Sequence, residues 1–314
     1  MQSEKLTSRT PLLLTITVIL LVVLRIAVWS VETSKTQEPD GIKWQEPSKA
    51  DLAGISDYQP KLVFYYFCEE NSEPCRRVNH GALLNKNVVK LVNDSFLPIR
   101  VLSQPGTELS KELQQRFGVS MCPAFVIALP NGNEIGMQEG YFGMSARNLL
   151  SFIKYCKQRK EYVAGLDYLS HDQYEQAAQA LQTWFQTKDR FDSQALDGAL
   201  FCALAHMMLF RENAAQQVLA KIRNSQYEND SNWPQPLVQF LLGKLSATDL
   251  LRMCDHQDNR QSQSLYFTGM IELRNGNLQG AVNNFRQVDK INEVSPEIRS
   301  LINGQLSITG NPKN

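Results

Sequence analysis

Lys61-Leu-Val-Phe-Tyr-Tyr-Phe-Cys68-Glu-Glu-Asn-Ser-Glu-Pro-Cys75 is the stretch on which the reading of the chain turns. Its first seven residues form an apolar run rich in aromatic and β-branched side chains, the composition of a buried strand. The run stops at Cys68. Pro74 suits the first turn of a helix, where its missing N–H costs nothing, so Cys75 is expected at a helix start. A second stretch, Phe117-Gly-Val-Ser-Met-Cys-Pro123, places a third sulfur, Cys122, directly before a proline.

Around these stretches, residues 60–160 alternate strand and helix signals. A helical pattern follows from Pro74 to about Val92, with Val78, Ala82, Val89 and Val92 at helical spacing. Phe96-Leu-Pro-Ile-Arg-Val-Leu102 reads as a strand. Thr107 to Phe117 reads as a helix stopped by Gly118, and Ala124 to Leu129 as a further strand. Asn131-Gly132 signals a tight turn into a short strand at 133–138, and Ser145 is placed to cap a last helix reaching about Arg159. The predicted order is βαβαββα.

On these residues the segment 60–160 resembles a thioredoxin-like domain. Pro74-Cys75-Arg76-Arg77 is similar to the second half of that family's Cys-x-x-Cys helix start, and Phe117–Pro123 resembles the segment that ends in its cis-proline. Ala124-Phe-Val-Ile-Ala-Leu-Pro-Asn-Gly132 continues as the family does. The resemblance implies an active site at Cys68, Cys75, Cys122 and Pro123. It also implies a departure, since Ser72 falls where the family keeps its attacking thiol and Cys75 falls at the resolving position.

Three readings of the sulfurs stay open at this level. Cys68 and Cys75 could form a disulfide that only pins the loop, or an exchangeable pair with Cys122 at hand. Three thiolates with His80 could instead hold a soft ion such as Cu(I) or zinc, but a lone histidine is a weak signal, and neither metal nor cofactor is assigned. Glu69, Glu70 and Glu73 outnumber Arg76 and Arg77 around the loop, which predicts a Cys68 thiol that is not strongly activated. Cys156, Cys202 and Cys254 lie in helical patterns and are expected to be inert.

The chain has 314 residues, 43% of them apolar, and no net charge, so two domains are the default. Its cations are scattered rather than gathered on a face with aromatics, which argues against a nucleic-acid partner. Residues 11–29 are an apolar run interrupted only by Thr15, Thr17 and Arg25, long enough for a transmembrane helix. Lys5 and Arg9 before it, against Glu32, Glu38 and Asp40 outnumbering Lys35 after it, predict a cytoplasmic N-terminus (1–10) with the bulk of the chain extracytoplasmic. The exit Ile26-Ala-Val-Trp-Ser30 lacks the small residues of a signal-peptidase site, favouring an uncleaved anchor. A polar linker (30–59) follows, with Trp44 as a candidate docking residue.

From Tyr162 the pattern is all helical and repeats. Gly165, Tyr168, Ala177, Leu181 and Trp184 share their spacing with Ala203, His206, Ala215, Leu219 and Ile222, and with Gly269, Glu272, Ala281, Phe285 and Val288. That spacing resembles the tetratricopeptide repeat over 162–304, leaving 305–314 as a tail. Trp233 to Leu251 is expected to hold a degenerate helix pair and resembles a stretch in tetratricopeptide lipoproteins of the bacterial envelope, which implies a periplasmic setting. Such arrays present a groove to a protein partner. The expected fold class is thus an α/β thioredoxin-like domain plus an all-α array behind one transmembrane helix. The expected function is thiol-disulfide exchange on bound clients, or else a non-catalytic envelope scaffold with a structural disulfide.

Overall fold

A computed structural model describes residues 41–48, 61–104, 106–140, 144–186, 192–224, 233–254 and 257–309. The expected span at 11–29, the segment 1–10 and most of the linker lie outside these residues. Among the described residues no helix is long and apolar enough to cross a membrane.

Strand β1 (Leu62–Glu69) lies inside a four-stranded sheet of order β2-β1-β3-β4, with β2 at Phe96–Gln104, β3 at Ala124–Ala128 and β4 at Glu134–Glu139. It runs parallel to β2 and antiparallel to β3, and β4 pairs antiparallel with β3. Residues Leu62 to Cys68 are all buried, because both faces of the sheet are covered. That is why the sequence shows a continuous apolar run and not an alternation. Phe64, Tyr66 and Cys68 point to one core, and Val63, Tyr65 and Phe67 to the other.

The helices follow local punctuation, with one difference from the pattern read over 74–92. That stretch splits into α1 (Glu73–His80), a 3-10 turn (Ala82–Leu84) and α2 (Lys86–Ser95). The break has a local cause: Asn85 Oδ1 accepts from the N–H groups of Asn87 and Val88 and so starts a new helix. Helix α3 (Glu108–Phe117) is capped by Thr107 and ended by Gly118 at φ +64°, a left-handed position that favours glycine. Helix α4 (Ala146–Ser170) starts on Ser145, whose side chain accepts from Asn148 N–H.

Helix α4 crosses the boundary expected at 160–162 without a break. No glycine or proline interrupts Leu149 to Ala164, and both halves have something to cover. Leu149, Ile153 and Cys156 pack on the sheet, whereas Leu166 and Leu169 enter the helical core. The helix is shared by the two parts of the molecule.

The helical region continues with α5 (Tyr174–Gln186), α6 (Ser193–Met208), α7 (Glu212–Asn224), α8 (Gln235–Leu241), α9 (Ala247–Arg252), α10 (Asp258–Arg274), α11 (Leu278–Val288) and α12 (Pro296–Thr309). Close packing at two seams needs glycine: a Cβ at Gly165 would run into Leu181, and one at Gly269 into Phe285. Residues 305–309 are helix and not tail. Gln305 is buried, and its Nε2 donates to the Leu169 carbonyl (3.1 Å) and to Asp172 Oδ1 (2.9 Å), tying α12 onto the end of α4.

Part of the expected linker also belongs to the domain. Gln45 bridges the outer edge of β2, its N–H donating to the Pro98 carbonyl (2.9 Å) and its carbonyl accepting from Arg100 N–H (2.9 Å). Trp44 lies over Phe64 and Tyr66, with ring centroids 6.0 and 5.6 Å away. The segment 41–48 thus covers an otherwise open strand edge.

Candidate functional site

The ends of β1, β2 and β3 and the start of α1 bring three sulfurs to one side of the sheet. Strand β1 carries Cys68 to its C-terminal end, where a register shift between Cys68 and Glu69 interrupts the ladder to β2. A bulge turns the chain and re-aims its N–H groups. The Glu69 N–H accordingly donates to Cys75 Sγ (3.4 Å). Ser72 then occupies the N-cap of α1 without making a side-chain cap bond, and Cys75 follows in the first turn. The N-terminal end of the helix is therefore marked by a hydroxyl, with the thiol one turn inside.

Cys68 and Cys75 are both fully buried and free. Arg100 Nε donates to Cys68 Sγ at 3.3 Å. Burial pushes the Cys68 thiol above its ordinary value, and the Arg100 guanidinium pulls against it without overcoming it. The weakly activated Cys68 expected from the loop acids is thus found, but for a different reason. Glu73 is occupied by ion pairs with Arg76 (2.6 Å) and Arg77 (3.0 Å) at the surface, and the cation that acts on the sulfur is Arg100. The Tyr66 hydroxyl donates to the Cys75 carbonyl (3.4 Å), and burial together with the two neighbouring sulfurs holds that phenol protonated.

Cys122 is the half-exposed member of the three. The Cys122–Pro123 bond is cis, and Gly140 N–H donates to the Pro123 carbonyl (2.9 Å). Cys122 Sγ lies 3.2 Å from Ser103 Oγ, which in turn accepts from Gln114 Nε2 (2.8 Å). Burial pushes the Cys122 thiol up to about 11, and the nearby Cys75, Glu69 and Cys68 add to the shift while Ser103 opposes it. Cys122 packs against the core in which Cys68 and Cys75 are buried.

The segment entering Pro123 is clamped from β4. Glu139 accepts from Ser120 N–H (2.6 Å), Ser120 Oγ (3.1 Å) and Met121 N–H (3.2 Å). Met121 itself is 57% exposed beside the half-buried sulfur.

Cys68, Cys75, Cys122 and Pro123 thus gather at one place. Arg100, Ser103, Gln114 and Glu139 complete the arrangement, and the sequence reading did not include them. For Arg100 a signal existed, as the one cation within an otherwise apolar strand. The other three are ordinary surface polar residues in sequence. Among the described residues no group of three or more His, Cys, Asp or Glu is arranged to hold a metal ion, and His80 is exposed at the far end of α1. Cys156, Cys202 and Cys254 are buried elsewhere. Burial raises the first two thiols to about 12 and Cys254 in the same direction, which leaves all three protonated at neutral pH.

Comparison with known proteins bears on the α/β part. Among solved structures, the chain is similar to a DsbH oxidoreductase, with 13% identity over 40% of this chain and 90% of that one and a TM-score of 0.33. It is similar to thioredoxin f2 of Chlamydomonas reinhardtii at 18% identity, over 35% and 93% of the two chains, with a TM-score of 0.27. A thioredoxin from Thermus thermophilus is 26% identical over 38% and 86%, with a TM-score of 0.29. No match was found among curated proteins. The family described as a thioredoxin-like domain matches residues 49–157, so the α/β part of this chain is a thioredoxin-like domain, continued by an all-helical region.

Proposed function

We propose that the chain is a membrane-tethered thiol-disulfide exchange protein whose helical region holds a client or partner. The observation that carries the chemical half is the gathering of three free sulfurs beside the cis Cys122–Pro123 bond, each with a polar group in contact. Cys68 and Cys75 are the exchangeable pair, Cys122 is the third sulfur, and Pro123 shapes the surface against which a substrate strand lies.

Burial pushes the Cys68 thiol above its ordinary value, and a thiolate is the attacking species. Slow exchange of a reducing kind fits this better than rapid oxidation. The same burial is what favours the second reading, a non-catalytic assembly protein whose Cys68–Cys75 bond is structural.

Tethering rests on the apolar run at 11–29 and the charge bias around it. On this reading the bulk of the chain lies outside the cytosol, in the periplasm if the envelope has two membranes. Partner binding rests on the tetratricopeptide-like spacing and on two adjoining cavities, the larger between the start of β4 and the helical region and the smaller within that region. One of about 530 Å³ is lined by Glu134, Arg159, Tyr162, Asp167 and Glu297, and one of about 170 Å³ by Gln194, Asp197 and Gln263 among others.

The test is thiol counting on the full chain in detergent, after equilibration in an oxidising glutathione buffer. The exchange reading predicts that Cys68 and Cys75 disappear together and return with mild reductant. Counts unchanged between oxidising and reducing buffers would refute it.

A further inference from the structure

The three sulfurs are unequal, and their inequality suggests an order of events. Cys68 and Cys75 are fully buried, whereas Cys122 is half-exposed next to the exposed Met121. Ser72 stands at the helix N-cap, where an attacking thiol would otherwise meet the substrate. An incoming disulfide therefore finds Cys122 the least buried of the three.

We propose that Cys122 is the entry thiol of the site, the catalytic residue that meets the substrate disulfide, and that Cys75 resolves it and Cys68 stores the resulting oxidation. The inference rests on the exchange reading above and adds a route to it.

The steps balance without a further reactant. The Cys122 thiol loses its proton to solvent, attacks one sulfur of the substrate disulfide, and expels the other as a thiolate. The Cys75 sulfur, deprotonated in turn, attacks Cys122 Sγ, releases the second substrate thiolate and forms a Cys75–Cys122 bond. The Cys68 sulfur then attacks Cys75 Sγ and expels Cys122, leaving Cys68–Cys75 oxidised and Cys122 free. Two electrons have passed from the protein dithiol to the substrate disulfide.

The surroundings fit each role. Cys75 Sγ accepts from the N–H of Glu69, the residue next to Cys68, and Cys122 packs against the core that holds both sulfurs. The Ser103 hydroxyl, held by Gln114 Nε2 at 2.8 Å, is within 3.2 Å of Cys122 Sγ and is placed to donate to a thiolate formed there. Arg100 Nε is placed to do the same for Cys68 when the exchange runs in reverse. Glu139 is a positioning residue, since it fixes Ser120 and Met121 and through them the presentation of Cys122.

The experiment uses the reduced full chain in detergent with glutathione disulfide as the probe. In Cys75→Ser the resolving step is lost, so a glutathione adduct should accumulate and map to Cys122. In Cys122→Ala the first exchange should slow by about tenfold or more, because access limits attack. A readout without substitution guards against misfolding: limiting iodoacetamide on the wild-type chain should label Cys122 before Cys68 and Cys75. An adduct or first label at Cys68 or Cys75, or an unchanged rate in Cys122→Ala, would overturn the entry role while leaving exchange intact. No adduct on any of the three, together with no oxidation of the wild-type chain, would overturn both.

Discussion

Ser72→Cys is the substitution that most directly probes the hydroxyl at the start of α1. Ser72 is the N-cap of α1 and makes no side-chain cap bond, so the exchange removes no capping interaction. A thiol at a helix N-terminus has its pKa lowered to roughly 7 by the dipole and free N–H groups. The entry thiol of the wild-type chain, Cys122, stands at about 11. At pH 7 the thiolate fractions are then about one half and about one in ten thousand, a gain of roughly 5,000-fold. A less basic thiolate is intrinsically slower, by a factor of roughly 60 for four pKa units at a Brønsted slope near 0.45. The net expectation is capture by iodoacetamide about a hundredfold faster than in the wild type, mapped to position 72. Equal rates, or a label found elsewhere, would refute the argument that the hydroxyl at the N-cap silences this end of the helix.

Two further substitutions test the helical region. Asp197 is raised to about 7, mainly by burial, with Glu297 and Asp192 adding to the shift and Gln263 Nε2 (3.3 Å) opposing it. An acid whose folded pKa is raised loses stability as pH climbs from its unfolded value near 4 through about 7. Complete burial would make this about 4 kcal/mol, and the residual solvent contact of the side chain reduces it to about 1–2 kcal/mol. Asp197→Asn should therefore remove the pH dependence and raise the denaturation midpoint at pH 8 but not at pH 4; an unchanged profile would contradict this. At the α10–α11 seam, Gly269→Val would drive a side chain into Phe285, which is fully buried and has nowhere to move. Overpacking of this kind costs about 1–3 kcal/mol, and urea unfolding that shows no loss would contradict the close approach.

Much of the fold was legible because its signals are local. The aromatic run at 61–67, the stop at Gly118, the Asn131-Gly132 turn and the cap at Ser145 each act within a few residues, and each falls where the sequence placed it. What escaped depends on contacts far apart in sequence. Gln45 joins β2 from more than fifty residues away, and nothing in its neighbours announces a strand. Helix α4 passes 160 because a second core waits beyond it, which no local rule conveys. Gln305 looks like tail composition until Leu169 and Asp172 supply its partners.

The site divides in the same way. Cys68, Cys75, Cys122 and Pro123 announced themselves by residue type and order. Their electrostatics did not follow from neighbours in sequence. Counting acids and cations along the loop gave the right sense for Cys68 from the wrong groups, because Glu73 is engaged at the surface and Arg100 reaches the sulfur from β2. Which sulfur is exposed is likewise a property of the fold, fixed by the sheet ends and by the Glu139 clamp on residues 120 and 121.

The most direct test of the account is the reduction potential of the Cys68–Cys75 pair in the full chain, measured against glutathione and dithiothreitol buffers with thiol trapping. Exchange in an extracytoplasmic setting predicts a value between roughly −180 and −270 mV, in the range of known exchange proteins. A value below roughly −300 mV would mark the bond as structural and contradict the exchange function.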